Sequence, residues 1–421
     1  MEWTPARIRV FREAGLCLSQ DEFATALGFA KRTVGNAERG THPPSLALRR
    51  ALDQAWENAS DIQRDRFLTA VGTRVIPASR DRGRCPAPTL DGLRCAVLGW
   101  PPTERMDLSA HSDDGSDHAG AVAATAQVHR FYQLADYDAA AQLLPAVLMR
   151  LQSGALESND KCRADTRTNQ YTKAAAYIAA AKLATKLGDS GLAWVTADRA
   201  ITAANESEHA ALVGAATYQV ACALLLTGDL ANAERTANVG AEVIASAAAT
   251  DRPNSREEVL SAHGSLLLLL AIMAARRDDS KTAQVALGKA GQLAEMLGCD
   301  HNWLWTGFGP TNVAIHQLSV HARLGSATRA LQLGATINTD GLPTALRGRR
   351  SQVHLDLSWA AASQADDTLA ILHLLEAERV ARQAVSRNAS ARKLLSTLLK
   401  RERRGAAPGL RGLAARAGLL Q

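Results

Sequence analysis

The feature that leaves this chain least freedom is a small residue that returns in fixed phase along its C-terminal part. Six turn positions can be marked, at Ala135, Gly188, Gly228, Asp278, Gly325 and Ala365. Each is followed five residues later by an alanine: Ala140, Ala193, Ala233, Ala283, Ala330 and Ala370. The intervals between turns are 53, 40, 50, 47 and 40 residues, the period of two-helix solenoid units. A turn admits a small residue where one helix ends, and a second small residue lets the next helix lie close against it. A hairpin of this kind has an apolar face that it cannot bury alone, so stacking gives one continuous core and a concave groove. Composition agrees. Hydrophobic residues make up 47% but aromatics only 4%, which favours stacked amphipathic helices over a β-sandwich. The expectation is an all-α chain in more than one domain, with an array over 121–400 ended by a capping helix near Ser390–Lys400.

The second constraint lies at the other end, in Ser19–Gly40, SQDEFATALGFAKRTVGNAERG. Ser19 followed by Glu22 is a capping box. Phe23, Ala24 and Leu27 then form a helical apolar stripe, and Gly28 breaks it. Val34 and Ala37 give a second short helix its inward face, leaving Lys31, Arg32, Thr33, Gly35 and Asn36 on the outer one. Lys and Arg donate to guanine O6/N7 and Asn pairs with adenine, so a free face of this kind suits a DNA major groove. The flanking helices are Thr4–Ala14, with Ile8, Val10 and Phe11 inward and Arg7 and Arg9 outward, and Ser45–Trp56, with Leu46, Leu48, Leu52 and Trp56 buried. A further helix is expected over Asp61–Thr73.

Ser19-Gln20, Phe23-Ala24, Leu27-Gly28-Phe29, Thr33-Val34 and Glu38-Arg39-Gly40, with Pro43 or Pro44 after them, resemble the Xre/Cro-type helix-turn-helix of phage repressors and bacterial regulators. The resemblance covers roughly residues 4–60. It implies a lambda-repressor-like fold for residues 1–73, phosphate contacts from Gln20 and Arg39, and base contacts from Lys31, Arg32 and Asn36, with Thr33 on the same face. It also implies an internal pair between Glu38 and Arg12. Two positions depart from the pattern: Ala30 stands where a Ser or Thr cap is usual, a loss of about 1 kcal/mol, and Leu16-Cys17-Leu18 lengthens the first loop by one residue. The turns Leu187-Gly188-Asp189 and Thr227-Gly228-Asp229 resemble tetratricopeptide repeats, although the unit is longer than that family's ~34 residues. Together the two halves resemble the cytoplasmic quorum-sensing regulators of Gram-positive bacteria and actinobacterial regulators of the same layout.

Between the halves, residues 74–120 carry Pro77, Pro86, Pro88, Pro101 and Pro102 and the acidic tract His111–His118, and read as a flexible linker. His111, Asp113, Asp117 and His118 there read as a solvated polar tract, so no metal site is expected. The net charge of +6 is carried by Arg379–Gln421, whose eleven basic residues face Glu402 alone; the basic tail 401–421 reads as a solvated face with a short amphipathic helix in GLRGLAARAGLL. The six cysteines include no C-x-x-C pair, so neither zinc spacing nor a disulfide framework is present. No apolar run reaches the ~20 residues of a membrane span and no signal-peptide pattern opens the chain, which points to a cytoplasmic protein.

No phosphate-binding G-x-x-x-x-G-K-[ST] loop, H-E-x-x-H or G-x-S-x-G occurs, so neither an enzyme nor a cofactor is expected. In arrays of the resembled kind the first helix of each hairpin lines the groove. The ligand candidates are its polar and aromatic residues: Asn169, Tyr171, Tyr177, Tyr218, His263, Trp303, Trp305, Asn312 and His316. The segment WLWTGFGPTNVAIH, Trp303–His316, places Asn312 and His316 at i and i+4 beyond an aromatic stretch. The resemblance implies a homodimeric transcriptional regulator on a double-stranded operator, sensing a peptide or small molecule. A protein-interaction scaffold with secondary DNA contact is the alternative.

Overall fold

A computed structural model describes residues 3–16, 18–41, 44–59, 63, 67, 90–99, 117–153, 163–247, 256–402 and 409–420. All regular structure among them is helical. The chain divides into two compact units, Met1–Arg84 and Cys85–Gln421.

The first unit holds α1 (Pro5–Val10), α2 (Gln20–Leu27), α3 (Lys31–Arg39) and α4 (Leu46–Asn58). So small a body needs large side chains to bury enough area, and it gathers aromatics. Trp3, Phe11, Phe23, Trp56 and Phe67 meet in tilted and edge-on pairs, and the Trp3 indole donates to Asp53 at 2.7 Å. α1 runs on into π-helical turns over Phe11–Leu16. That wider winding takes up an extra residue, which is where the longer first loop is absorbed. Ser19 and Glu22 form both bonds of the capping box, and Gly28 closes α2 in the left-handed region. α3 begins at Ala30 with no side-chain cap. Two expected orientations are corrected. Leu46 is exposed, because it opens α4 immediately after the Ser45 cap and precedes the first core turn. Gly35 is buried beneath the side chains of Gln20 and Arg39. Of Asp61–Thr73 only Gln63 and Phe67 are described, both helical.

The second unit opens with α5 (Asp91–Leu98), inside the span expected to be linker. Leu93, Ala96 and Val97 are buried, the Gln152 amide donates to the Ala96 carbonyl at 3.1 Å, and Arg199 donates to that of Val97. A short stripe at i, i+3 and i+4 thus docks this stretch. His111, Asp113 and Trp100 lie outside the described residues, as do Cys17, Cys85 and Cys162, and the side chains of Asp117 and His118; the described Cys95, Cys222 and Cys299 are free thiols.

Six helical hairpins follow: α6 (Asp117–Gln133) with α7 (Tyr137–Ser153), α8 (Arg163–Leu187) with α9 (Ser190–Glu206), α10 (Ala210–Leu226) with α11 (Leu230–Ala247), α12 (Arg256–Arg276) with α13 (Ser280–Leu297), α14 (Pro310–Arg323) with α15 (Ala327–Thr336), and α16 (Arg347–Ser363) with α17 (Asp367–Val380). All six marked turn residues have positive φ, between 57° and 87°. All six alanines five residues on have no exposed surface. Five of the six turns share a further device: the residue after the left-handed one caps the second helix, and Asp136, Asp189, Asp229, Asp279 and Asp366 each accept from the backbone three residues ahead, whereas Ser326 after Gly325 makes no side-chain cap.

The first helices of successive hairpins touch one another from α6 through α16, and α16 in turn touches α6. They form a closed inner layer around an interior, with the second helices outside. The closure is completed by α18 (Arg382–Ser386), whose Gln383 accepts from the Tyr137 and Asp138 amides at 2.8 and 3.1 Å and donates to Asp136. α19 (Ala389–Arg401) and α20 (Leu410–Arg416) end the stack over a core of Leu394, Leu395, Leu398, Leu410 and Leu413. Among its described residues the basic tail keeps Arg401, Arg411 and Arg416 exposed, as expected of a solvated face, each paired with a carboxylate, Asp367, Glu402 and Glu378, while Arg387 before it is half-buried against Asp138. One helix among the described residues, α12, is long and apolar enough to cross a bilayer, with a mean hydropathy of 1.8, but 78% of that window is buried in the stack.

Candidate functional site

In the first unit, α3 presents Lys31, Arg32, Thr33 and Arg39 to solvent, with Asn36 half-buried. Beneath them is a charged anchor. Arg12 donates to both oxygens of Glu38 at 2.6 and 3.1 Å, and the Gln20 amide adds a third bond at 2.7 Å. The bidentate pair is buried, and the adjoining carboxylate holds the Arg12 guanidinium more firmly protonated. It fixes the angle between α1, α2 and α3, and so the direction of the outer face. On that face Lys31 pairs with Asp21 at 2.7 Å, and Arg39 donates to the Asn36 side-chain Oδ1 at 2.8 Å. Both links are exposed, are worth well under ~1 kcal/mol, and yield readily to a better acceptor such as phosphate. Arg32 reaches outward.

In the second unit, the inner helices and the loop before α14 enclose a cavity of about 210 Å³. α6 supplies Tyr132 and Gln133, α8 supplies Lys182, Thr185 and Lys186, α10 supplies Tyr218, Gln219 and Cys222, and α16 supplies Arg349 and Gln352. α12 supplies Ala262 and Ser265, and Leu304, Trp305 and Thr306 form a further wall. That wall is held from several sides. The Trp305 ring stacks on the His129 imidazole with centroids 3.8 Å apart and planes 4° apart. The Trp305 carbonyl accepts from Lys182 at 3.0 Å, and Asn302 and Gln133 exchange two amide bonds at 2.7 and 2.9 Å. Leu304 and Trp305 both have positive φ, 49° and 56°, a strained conformation for branched or bulky residues. The floor under the loop is Phe308, seated on Gly264, where a Cβ would meet its ring at 2.0 Å.

The cavity is positively charged without compensation. Its described lining includes Lys182, Lys186 and Arg349 and no Asp or Glu. Burial first, then the Arg349 charge, pulls the Lys182 ammonium down to about 7. Burial lifts the Tyr132 phenol to about 12 and the Cys222 thiol to about 12, so neither is a thiolate or phenolate nucleophile near neutrality.

Of the ligand candidates read from the sequence, Tyr218 and Trp305 line this cavity and the others do not. Tyr177 is buried in structural duty, its hydroxyl accepting from Gln152 at 3.0 Å. Asn169 and Tyr171 lie half-buried near the start of α8, Tyr171 edge-on to His209, itself paired with Glu258. His263 is half-buried and kept neutral by its surroundings. Trp303 is partly exposed beside His301. Asn312 and His316 do share a face, but inside the core: the His316 ring bonds the Asn312 backbone carbonyl at 2.8 Å, and burial lowers its pKa to about 3. The residues missed were Lys182, Arg349, Tyr132 and Gln133. Lys182 had a signal, since it interrupts the run Ala174–Ala184, apolar around the whole helix, where a lysine has no edge from which to reach water. Among the described residues no group of His, Cys, Asp or Glu is arranged to hold a metal.

No protein-family model, curated protein or solved structure matches the chain.

Proposed function

We propose that the chain is a cytoplasmic DNA-binding transcriptional regulator. In this reading the first unit is a lambda-repressor-like helix-turn-helix whose α3 enters the major groove, and the second is a tetratricopeptide-like array that senses a ligand and mediates dimerisation. The observation that carries the reading is the outer face of α3. Lys31, Arg32, Thr33 and Arg39 are exposed on a rigidly anchored short helix, at the positions that the Xre resemblance assigns to DNA. A dimer would set two such helices about one DNA turn apart, ~34 Å, on an inverted repeat. The test is selection of duplexes from a random pool by the full chain. Enrichment of an inverted repeat is expected, with affinity falling steeply in salt. Enrichment of no motif would overturn the reading.

A scaffold reading has one observation in its favour. Trp194, Val239, Val243, Val285 and Met296 are exposed on the outer helices α9, α11 and α13, where a second protein would cover them. Native mass spectrometry separates the two readings: a homodimer supports the first, a stoichiometric foreign protein the second.

A further inference from the structure

We infer that the interior of the second unit binds a small organic anion, a single carboxylate or phosphate on a flat apolar body, with Lys182 and Arg349 holding the charge and Tyr132, Tyr218 and Trp305 flanking the body. This inference rests on reading that interior as the ligand site of the array.

Three features of the cavity lead there. The first is sign. Lys182, Lys186 and Arg349 converge from α8 and α16, none forms an ion pair among the described residues, and the lining has no carboxylate of its own. Concentrated like charge inside a protein is unfavourable unless a counter-charge arrives. The groups facing Lys182 are the Trp305 carbonyl, the Arg349 guanidinium, the Cys222 thiol and the His129 imidazole, and none of them is an anion. The Lys182 pKa of about 7 reflects burial first and the neighbouring Arg349 charge second.

The second feature is size. A cavity of ~150 Å³ is enough for benzene, and this one is about 210 Å³. It takes a one-ring body with a charged substituent and has no room for a peptide. The third is the wall. Leu304 and Trp305 are held in left-handed backbone by the His129 stack and by the bonds from Lys182 and Gln133. An anion that draws the Lys182 ammonium away from the Trp305 carbonyl removes one of those restraints. Ligand arrival is thereby coupled to the loop that separates α13 from α14.

The experiment is calorimetric titration of the full chain with benzoate, phenyl phosphate and uncharged benzyl alcohol, all sized to the cavity. At least one anion is expected to bind ~10-fold or more tightly than the alcohol, a modest effect for a charge pair out of water. Tighter benzoate assigns a carboxylate site, and tighter phenyl phosphate a phosphate site. Lys182→Met removes a buried charge and is expected to fold. It and Arg349→Gln should each weaken the anion ~10-fold while leaving the alcohol within ~2-fold. Anions that bind no better than benzyl alcohol, or that are indifferent to both substitutions, overturn the inference. Duplex binding is followed separately by fluorescence anisotropy. Anion binding without DNA binding leaves this inference standing and removes the regulatory reading; DNA binding without anion binding does the reverse.

Discussion

At the scale of single residues, one buried and one half-buried cation define the two units by opposite means. Arg12 has a carboxylate built for it, Glu38, and Lys182 has only a carbonyl. Breaking a buried pair strands its partner, so Glu38→Gln is expected to destabilise the first unit by about 3–5 kcal/mol, read as an earlier first transition in a thermal melt. Arg32→Ala should leave that transition within about 0.5 kcal/mol while weakening a selected operator far more than random duplex in an anisotropy titration. Equal loss on both duplexes would end the base-reading role of Arg32. The Arg12–Glu38 pair was legible because a family resemblance carries it. The Trp305–His129 stack was not, since no local rule links a loop before α14 to the middle of α6.

At the scale of elements, the array was legible because its turns obey local chemistry. A left-handed residue and a fully buried alanine recur at fixed offsets in all six turns and a capping Asp in five, and each follows from how a helix ends and how closely two helices can approach. The turns differ in how much strain they carry. Ala365 is exposed and adopts φ 60°, a conformation costing a non-glycine residue about 1–2 kcal/mol. Ala365→Gly is therefore expected to gain about 0.5–1 kcal/mol after the entropy glycine adds to the unfolded chain, and Gly188→Ala, at φ 83° with open space around it, to lose about 1 kcal/mol. Urea midpoints of the second unit report both. Overfilling an alanine position, as in Ala193→Leu, should cost about 1–3 kcal/mol, whereas the same change at exposed Ala231 should be near neutral. What escaped the reading was α5, too short for its apolar stripe to stand out between two proline-rich stretches, and the burial of Asn312 and His316, whose helical spacing shows a shared face without showing which way it turns.

At the scale of the whole molecule, the feature beyond sequence reasoning is closure: Gln383 meets Asp136, Tyr137 and Asp138 across most of the array. Closure gathers the inner helices around a partly desolvated interior, and that desolvation sets a pH dependence. A group whose proton the interior binds weakly takes it up more readily once unfolded, so stability falls as the pH is lowered across the interval between its two pKa values. For Lys182 that interval runs from 10.5 down to about 7. For His316 it runs from 6.5 down to about 3, and buried His129 is shifted in the same direction. The stabilising contribution of each group is complete above its unfolded value and declines below it, by up to about 1.4 kcal/mol per pH unit per group. The intervals for Lys182 and His316 nearly abut, so the second unit should be less stable at pH 7 than at 9 and less stable again at 5. Lys182→Met should abolish the decline from 9 to 7 and keep the one below 6.5. A melting temperature unchanged between pH 9 and 7 in the unsubstituted chain would mean that Lys182 is charged and solvated, and that the inner layer is open to water.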